Sequence, residues 1–329
     1  MPGLLDPLES LRIRLKNRLV LAPMAMNKAT PNGQVTGAVL DHYRRRAVGP
    51  GLVIVEHAYV ERNGRLSPQQ LGVHEDGMQS GLAKLANVIR TAGAASALQI
   101  SHCGSRTEPD AVADPVAPSA IAFFGEHTPH ELSKTEILGL PRLFAKAARR
   151  AKEAGFDAVE IHGAHGFLLN QFHSPLTNRR TDAFGGSFGN RIRLTKELLG
   201  AVRTAVGDDY PVLFRLGADD RVEKGLDAAA GAEIARAIAP YIDIIDVSGG
   251  LCGSRPADLN DRPGYFVPLA EKIRAAVSRP VIGVGGIRTP ELANDLVAED
   301  RLDLVAVGRA ILKDPDWGSR AIEDLESAG

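Results

Sequence analysis

The stretch PVIGVGGIRTPELANDLVAEDRLDLVAVGR, residues 280–309, contains two short apolar runs on either side of one amphipathic helical segment. The segment has clear start signals, because Thr289 is suited to cap a helix N-terminus, Pro290 follows at the first helical position and Glu291 lies in the first turn. The apolar runs do not alternate with polar residues, which is typical of strands buried on both faces of a parallel sheet. The stretch therefore predicts a strand–helix–strand unit.

Six more apolar runs of this kind precede the stretch, and amphipathic segments separate most of them. One such segment, residues 131–156, contains Ser133 and Glu136 in the spacing of a capping box. Eight strand–helix units predict a (β/α)8 TIM barrel that spans residues 1–329 as one domain. A doubly wound sheet with a second domain is the alternative, but no compositional break or linker divides the chain. The predicted strands are RLVLAPM (18–24), GLVIVEH (51–57), SALQISH (96–102), AVEIHG (158–163), PVLFRLG (211–217), IIDVSGG (244–250), PVIGVGG (280–286) and LVAVGR (304–309).

Composition excludes several classes of protein. The chain of 329 residues is 44% apolar, enough to build a sizeable core, and its 39 basic and 40 acidic residues give a net charge of −1. Without a basic surplus we expect no nucleic-acid partner. The sequence has no secretory signal and no apolar run of about 20 residues, so we expect no membrane segment. Two cysteines fit a reducing compartment, and we expect a cytoplasmic protein.

Polar and glycine residues stand at the carboxyl ends of the predicted strands, where a barrel builds its active site. Long connections follow the third and fourth strands, at residues 103–133 and 164–188. Loops at that end of a barrel carry substrate sites. The residues at the strand ends are Met24, His57, Gln99, His102, His162, His165, Arg215, Ser248, Gly285, Gly286, Gly308 and Arg309.

Glycines close the last two strands, in GVGGIRT and AVGRA. Gly285, Gly286 and Gly308 would let backbone N–H groups approach an anion, and Arg309 adds a positive charge suited to a phosphate. These two loops form the recurrent phosphate site of the barrel. The alternative is that both are tight turns that simply require glycine. Their occurrence together, in this order, favours the phosphate site.

His162 and His165 form a His-x-x-His pair after the fourth strand. The pair allows three interpretations: two metal ligands, two donors to one oxyanion, or two buried structural histidines. No carboxylate or cysteine stands at a matching strand end, so we expect no metal. Gln99 can both donate to and accept from a ring carbonyl and imide, and Arg215 can stabilise an anion beside it. A salt bridge from Arg215 to Asp219 or Asp220 is the structural alternative.

Several segments together resemble the Old Yellow Enzyme family of FMN-dependent oxidoreductases, and within it the bacterial thermophilic-like branch. The resemblance covers nearly the whole chain, and its most specific part is the long central segment. The segments are RLVLAPMAMNKATPNGQVT, HYRRRAVGPGLVIVE, LQISHCGSR, APSAI followed by TPHELSKTEI, AKEAGFDAVEIHGAHGFLLNQFHSPLTNRRTDAFGGSFGNRIRL, GVGGIRT and AVGRAILKDPDW.

The resemblance implies a non-covalent FMN at the barrel mouth. By matching motifs, Pro23, Met24 and Ala25 would lie along the flavin ring, Gln99 at its pyrimidine edge and Arg215 beside N1. Gly285, Gly286, Gly308 and Arg309 would hold its phosphate. His162 and His165 would bind the oxygen of the substrate. NADPH or NADH would supply hydride in a ping-pong reduction of α,β-unsaturated carbonyls or related small electrophiles, with no iron–sulfur cluster.

Three positions depart from the family pattern. Phe167 replaces the tyrosine commonly assigned as proton donor, and a phenyl ring has no proton to give. Ala25 replaces a cysteine or threonine that contacts the flavin. His57 replaces a small residue, so it would contact the flavin or substrate and could act in proton transfer, unless it is a structural histidine turned away.

These departures leave a second enzyme function open, which is FMN-dependent oxidation or rearrangement of a specialised substrate. A flavin-binding protein with little turnover is a third possibility. Cys103 and Cys252 have no matched base nearby in sequence, so neither is expected to be a nucleophile. The arginine-rich run 178–193 is expected to be a structural loop. We also expect a homo-oligomer, either a dimer or a tetramer.

Overall fold

The eight apolar runs form eight parallel strands that pair in chain order and close into a barrel. The structure is a computed structural model, and it describes residues 2–9 and 12–328. Pairing of the eighth strand with the first closes the ring. The strands are β1 Leu19–Leu21, β2 Leu52–Tyr59, β3 Ala95–Ser101, β4 Ala158–Gly163, β5 Val212–Gly217, β6 Ile244–Ser248, β7 Val281–Gly283 and β8 Leu304–Val307.

Helices surround the barrel, and their ends follow from local sequence. Ser133 and Glu136 form both hydrogen bonds of the expected capping box, and the Thr289 side chain accepts the Leu292 N–H. The helices are α1 Gly37–Arg46, α2 Gln79–Thr91, α3 Lys134–Glu153, α4 Leu168–His173, α5 Phe188–Arg191, α6 Arg193–Val206, α7 Ala228–Ile238, α8 Val267–Arg274, α9 Pro290–Ala298, α10 Arg309–Lys313 and α11 Trp317–Ala328. None of the helices within the described residues is long and apolar enough to cross a bilayer.

The apolar core has two layers. The larger cluster lies between the strands and the helices. A smaller cluster, with Val20, Ile54 and Leu213 among its members, fills the inside of the barrel. A short antiparallel pair, Leu8–Glu9 with Arg14–Leu15, packs its leucines into the inner cluster. Its contacts with the inner cluster place this pair at the closed end of the barrel, away from the strand ends that carry polar residues.

Five of the eight observed strands are shorter than the predicted runs. Met24, Gly285, Gly286 and Gly308 therefore lie in the loops after their strands, whereas Gln99, His162, Arg215 and Ser248 lie on the strands themselves. The second strand differs, because it extends to Tyr59 and shifts register against β3 between Val55 and Ala58. Ile54 faces the inner cluster and Val55 the outer one, whereas Ala58 faces outward again. The bulge turns His57 toward the barrel mouth, as bulges near active sites often do.

The two long connections carry structure of their own. The first contains a short parallel strand pair, Val116–Ala117 with His130–Glu131, and the second contains α4. In the arginine-rich run, Arg180 donates to the carbonyls of Pro118 and Leu132. Arg191 donates to the carbonyls of His173 and Gly186. These bonds give the run the structural role expected from the sequence.

Candidate active site

A cavity of about 850 Å³ opens at the carboxyl ends of the strands. It brings together all the residues predicted to bind the cofactor or the substrate, whereas His102, also at a predicted strand end, is buried outside it with Nε2 3.0 Å from Oε1 of Glu61. The residues with these predicted roles are Pro23, Met24, Ala25, His57, Gln99, His162, His165, Phe167, Arg215, Gly285, Gly286, Gly308 and Arg309. A groove of about 660 Å³ lies at the other end of the barrel, but its Arg274 and Arg301 are paired with Asp300, Asp303 and Glu271. The mouth of the barrel is therefore the candidate active site.

One end of the cavity is shaped for an anion. Gly285 and Gly286 have φ values of +117° and +69°, a region that L side chains rarely adopt. A Cβ on Gly285 would lie 2.9 Å from the ring of Tyr265, and one on Gly308 would lie 2.8 Å from the sulfur of Met24. The loop after β7 thus depends on glycine for its path, whereas Gly308 has a φ of −110° and meets only the flexible side chain of Met24.

Arg309 is held at this end by two residues that the sequence reasoning missed. Its Nη1 donates to Oδ1 of Asn260 at 2.8 Å, and its Nη2 donates to the hydroxyl of Tyr265 at 3.1 Å. Arg255 donates to the same Asn260 oxygen, and Arg288 donates to the Asn260 carbonyl at 3.0 Å. Three guanidinium groups therefore converge on one neutral residue, an arrangement suited to a phosphate. No motif marks Asn260, because it lies in the loop after β6.

A buried polar layer forms the floor of the cavity. Gln99 donates to Oε1 of Glu160 at 2.6 Å, and Nε of Arg215 lies 3.3 Å from Oδ2 of Asp246. Arg215 thus has an acidic neighbour, but not the Asp219 or Asp220 that the structural alternative named.

The hydrogen bonds within this layer do not satisfy all of its buried polar atoms. Buried polar atoms of Glu160, Arg215 and Asp246 lack a hydrogen-bond partner in the described part of the chain. Burial, and second the charge of Asp246, raise the pKa of Glu160 to about 8. Burial also raises the pKa of Asp246. Glu160 and Asp246 lie below the cavity surface, whereas Gln99 and Arg215 line it, so the amide and the guanidinium of these two residues are the groups of the layer that can meet a polar ring edge.

The sequence contained a signal for Glu160 that went unused. Glu160 and His162 are two residues apart on β4, so their side chains share one face of the strand. The signal for Asp246 is weaker, because only its pairing with Arg215 across β5 and β6 gives it a role.

His162 and His165 lie on one wall with their ring centroids 5.0 Å apart. The backbone N–H of Ala164 donates to Nδ1 of His162 at 3.3 Å, and Nε2 of His165 lies 2.8 Å from the hydroxyl of Ser248. Burial is the largest cause that lowers the pKa of both imidazoles well below the usual range. The neutral form of both rings is therefore favoured. Nε2–H of His162 is free to donate to an oxygen, and His165 can donate from Nδ1 when its Nε2 accepts the Ser248 hydroxyl.

The backbone of His165 is unusual and is supported from a neighbouring loop. Its φ is +59°, a left-handed conformation that costs about 1 kcal/mol or more for a residue with a side chain. Nη1 of Arg106 donates to the carbonyl of His165 at 2.6 Å, and the same guanidinium stacks on Phe124 at 5.1 Å. Arg106 also lines the cavity and was not singled out from the sequence.

His57 and Phe167 complete this wall. The two ring centroids are 5.3 Å apart, and Phe167 lies 4.4 Å from His162. His57 is thus not turned away from the cavity. Burial, followed by the charge of Arg215, lowers its pKa to about 4, below the near-neutral value expected from the sequence.

The two cysteines are not activated as nucleophiles. Burial raises the pKa of the Cys103 thiol far above its usual value and that of Cys252 to about 11, so both stay protonated at neutral pH. Within residues 2–9 and 12–328, no group of three His, Cys, Asp or Glu side chains is placed to hold a metal ion.

The fold and the cavity define a class: a TIM-barrel protein with glycine turns and converging guanidinium groups at its last two strands and a buried polar floor. A sequence profile of the NADH:flavin oxidoreductase / NADH oxidase family matches residues 3–328. The chain belongs to this family, which confirms the resemblance seen in the sequence. It is accordingly an FMN-dependent oxidoreductase that uses a nicotinamide.

Two curated relatives show the extent of the similarity. The chain is 41% identical over 304 residues to an NADPH dehydrogenase of Clostridium acetobutylicum, covering 92% of this chain and 89% of the relative. It is also 41% identical over 323 residues to an NADH oxidase of Thermoanaerobacter brockii. That match covers 95% of this chain but only 50% of the oxidase, so this chain spans half the length of that relative.

Solved structures with the same architecture include two reductases. A 2-naphthoyl-CoA reductase complex superposes with a TM-score of 0.93 at 30% identity, over 98% of this chain and 52% of that chain. Morphinone reductase in complex with tetrahydroNAD gives a TM-score of 0.84 at 28% identity, over 98% and 91% of the two chains. The barrel of this protein is therefore shared with enzymes of known structure almost from end to end.

Proposed function

We propose that this enzyme uses NADPH or NADH to reduce C=C bonds activated by a neighbouring carbonyl or related electron-withdrawing group, in two separate half-reactions at one site. The observation that supports this most directly is that His162 and His165 share one cavity with the polar floor and the glycine cradle. One cavity for both half-reactions favours a ping-pong order, in which the nicotinamide leaves before the electrophile binds.

The residues of the cavity would hold FMN along its length. Gly285, Gly286, Gly308 and Arg309 would bind its phosphate. Gln99 and Arg215 would bind the polar edge of its ring, and the segment Pro23–Ala25 would line the ring. Bound FMN supplies the hydride chemistry that no protein side chain can perform. Arg215 places a fixed positive charge at the floor, which favours extra negative charge on whatever ring lies above it.

His162 and His165 would bind the oxygen of the substrate. As hydride reaches the β carbon, negative charge builds up on that oxygen, and two neutral N–H donors stabilise it more in the transition state than in the ground state. Neutral imidazoles suit this role because they donate hydrogen bonds without adding charge that would trap an anionic product. The contact from Arg106 to the His165 carbonyl keeps the second imidazole in place.

A second candidate function remains, because Phe167 lies beside His162 where the family has its tyrosine proton donor. Without that donor, a reaction that takes up no net proton would compete with simple alkene reduction. Oxidation or rearrangement of a specialised substrate is such a reaction. Anaerobic reduction with each nicotinamide, followed by flavin reoxidation with a panel of electrophiles, distinguishes the two functions. Rapid reduction without reoxidation by any enone would favour the second.

The histidine pair is tested by ligand binding to the oxidised enzyme. A phenolate should bind at His162 and His165 and give a long-wavelength charge-transfer band. Replacing both histidines with alanine should abolish the band while FMN stays bound, because the phosphate cradle and the floor are untouched. Replacement of His130, an exposed histidine outside the cavity, should leave the band unchanged. Loss of FMN from the double variant, or one equivalent of bound zinc in the wild type, would contradict the proposed role.

A further inference from the structure

His57 is clamped by the side chain of Gln70, which is 1% exposed. Oε1 of Gln70 accepts the backbone N–H of Leu66 at 2.5 Å. Its Nε2 lies 2.9 Å from the carbonyl oxygen of His57 and 2.6 Å from Nδ1 of the same residue. A backbone N–H can only donate and a carbonyl oxygen can only accept, so these two contacts fix the orientation of the Gln70 amide.

The clamp determines which nitrogen of His57 carries the proton. Because the amide nitrogen of Gln70 donates, Nδ1 of His57 must accept, and the proton of the neutral ring is on Nε2. Protonation of Nδ1 would bring two donors together at 2.6 Å. The ring therefore stays a neutral imidazole with a single N–H, in agreement with its low pKa.

His162 is held in the same tautomer by a different donor. The N–H of Ala164 points at Nδ1 of His162, which leaves the proton of that ring on Nε2. The ring centroids of His57 and His162 are 6.1 Å apart, and the ring of Phe167 lies against both. Each histidine thus has one tautomer enforced by its own neighbour, and both rings line the same part of the cavity.

A histidine locked in this way is a hydrogen-bond donor and a poor acid. If Nε2 of His57 gave up its proton, the ring would become an imidazolate, since Nδ1 cannot take a proton from Gln70. The sequence suggested that His57 could take part in proton transfer in place of the tyrosine that Phe167 replaces. The contacts with Gln70 instead suit His57 to binding an oxygen atom.

We propose that His57 is a substrate-binding residue whose Nε2–H acts beside that of His162, so that the site favours acceptors with two oxygens on one atom, such as the nitro group of a conjugated nitroalkene. The inference rests on the proposed function, in which His162 and His165 bind one oxygen. A carbonyl is satisfied by that pair, whereas a nitro group presents a second oxygen, which His57 can bind. Gln70 is the positioning residue.

The test compares two ligands with the same ring, 2-cyclohexenone and 1-nitrocyclohexene. Each is titrated into the oxidised FMN-bound protein without a reductant, and the dissociation constant is read from the perturbed flavin spectrum. In His57→Phe the ratio of the nitro to the enone dissociation constant should rise roughly tenfold, the effect of leaving one oxygen without a donor. His57→Gln keeps an N–H donor and should keep the ratio within about threefold of the wild type.

A parallel variant separates this inference from the proposed function. His162→Ala should weaken both ligands. If it does so while His57→Phe leaves the ratio unchanged, His57 is not a binding residue and only the further inference fails. If His162→Ala weakens neither ligand, the proposed oxygen site itself is wrong. Loss of FMN from both His57 variants would place His57 against the cofactor and would also overturn the inference.

The tautomer lock has a readout that does not depend on ligands. In the FMN-bound protein, the ¹⁵N shifts of His57 should show a protonated Nε2 and an unprotonated Nδ1 from pH 5.5 to 9. Gln70→Glu replaces the donor by an acceptor and should protonate Nδ1 over the same range. A wild-type His57 with its proton on Nδ1, or a Gln70→Glu spectrum identical to the wild type, would show that Gln70 does not position the ring.

Discussion

At the scale of single residues, Phe167 carries the clearest functional consequence. Its ring occupies the wall between His57 and His162, and neither it nor the clamped His57 is a good acid. In the proposed reduction of an alkene, the proton for the α carbon would then come from water rather than from either of these two side chains. The enzyme is expected to accept hydride from the nicotinamide normally and to pass it to simple enones slowly.

Phe167→Tyr should speed reoxidation of the flavin by 2-cyclohexenone at least tenfold, because positioned general acids are typically worth about 10²–10⁴-fold. Flavin reduction by NADPH needs no such proton and serves as the internal reference. Stopped-flow absorbance measures both half-reactions. Phe188→Tyr, on α5 and outside the cavity, is the matched control. Equal rates of reoxidation in wild type and Phe167→Tyr would mean that protonation is not limiting.

At the scale of elements, local sequence specified helix ends better than strand ends. The capping box of α3 could be predicted from the sequence because the side chains of Ser133 and Glu136 each form a hydrogen bond with the other's backbone N–H within one turn. Strand ends have no comparable local bond, and the predicted runs therefore extended past β1, β7 and β8. The bulge in β2 could not be predicted from the local sequence either, because it arises from the pairing of β2 with β3.

Ser133→Ala should lower the free energy of unfolding by about 1 kcal/mol, because the N–H of Glu136 loses its acceptor at the start of α3. For a chain of this length the melting temperature should fall by about 2 °C. Ser133→Asp restores a capping oxygen and should recover most of the loss. Differential scanning calorimetry of the three proteins is sufficient, and identical melting temperatures would show that the cap contributes nothing.

At the scale of the whole molecule, buried neutral histidines control stability in acid. The pKa values of these histidines in the folded state lie below the value of about 6.5 that they have in the unfolded chain. Unfolding therefore takes up protons at pH values between the folded and the unfolded pKa. Burial is the first cause in every case. The histidines with lowered pKa values include His42 and His57, to about 4, His173, to about 3, and His162 and His165, well below the usual range.

The stability contribution of these groups is present above pH 6.5 and should be lost progressively as the pH falls from about 6.5 to about 3. Guanidinium unfolding at a series of pH values should show this fall. In His173→Gln, which removes one such group that does not line the cavity, the fall in stability with falling pH should be shallower. A slope that is unchanged in this variant would show that His173 is not charged on unfolding.

Glu56 and Glu160 act in the opposite direction. Burial raises their pKa values to about 7 and about 8, so the folded state holds protons that the unfolded state has lost above about pH 4.5. Their contribution to stability therefore falls as the pH rises toward 8, and they reduce the net slope that the histidines produce between about pH 4.5 and 6.5.

The sequence by itself determined the eight strands and the residues that stand at their carboxyl ends. Burial on both faces makes a strand uniformly apolar, and the turn glycines and the His-x-x-His pair are local features that need no partner to be seen. For the same reason the glycine turns at Gly285, Gly286 and Gly308 could be located without knowing the loop after β6, whereas Asn260 and Tyr265, which hold Arg309, could not.

Only the tertiary structure decided which polar groups meet. Arg215 lies beside Asp246 because β5 and β6 pair in one particular register, and Glu160 meets Gln99 because β3 and β4 do. The direction of His57 depends on a bulge, and its tautomer depends on Gln70, 13 residues away. Such contacts arise when the barrel closes and are set by strand register, which periodicity within one segment does not encode.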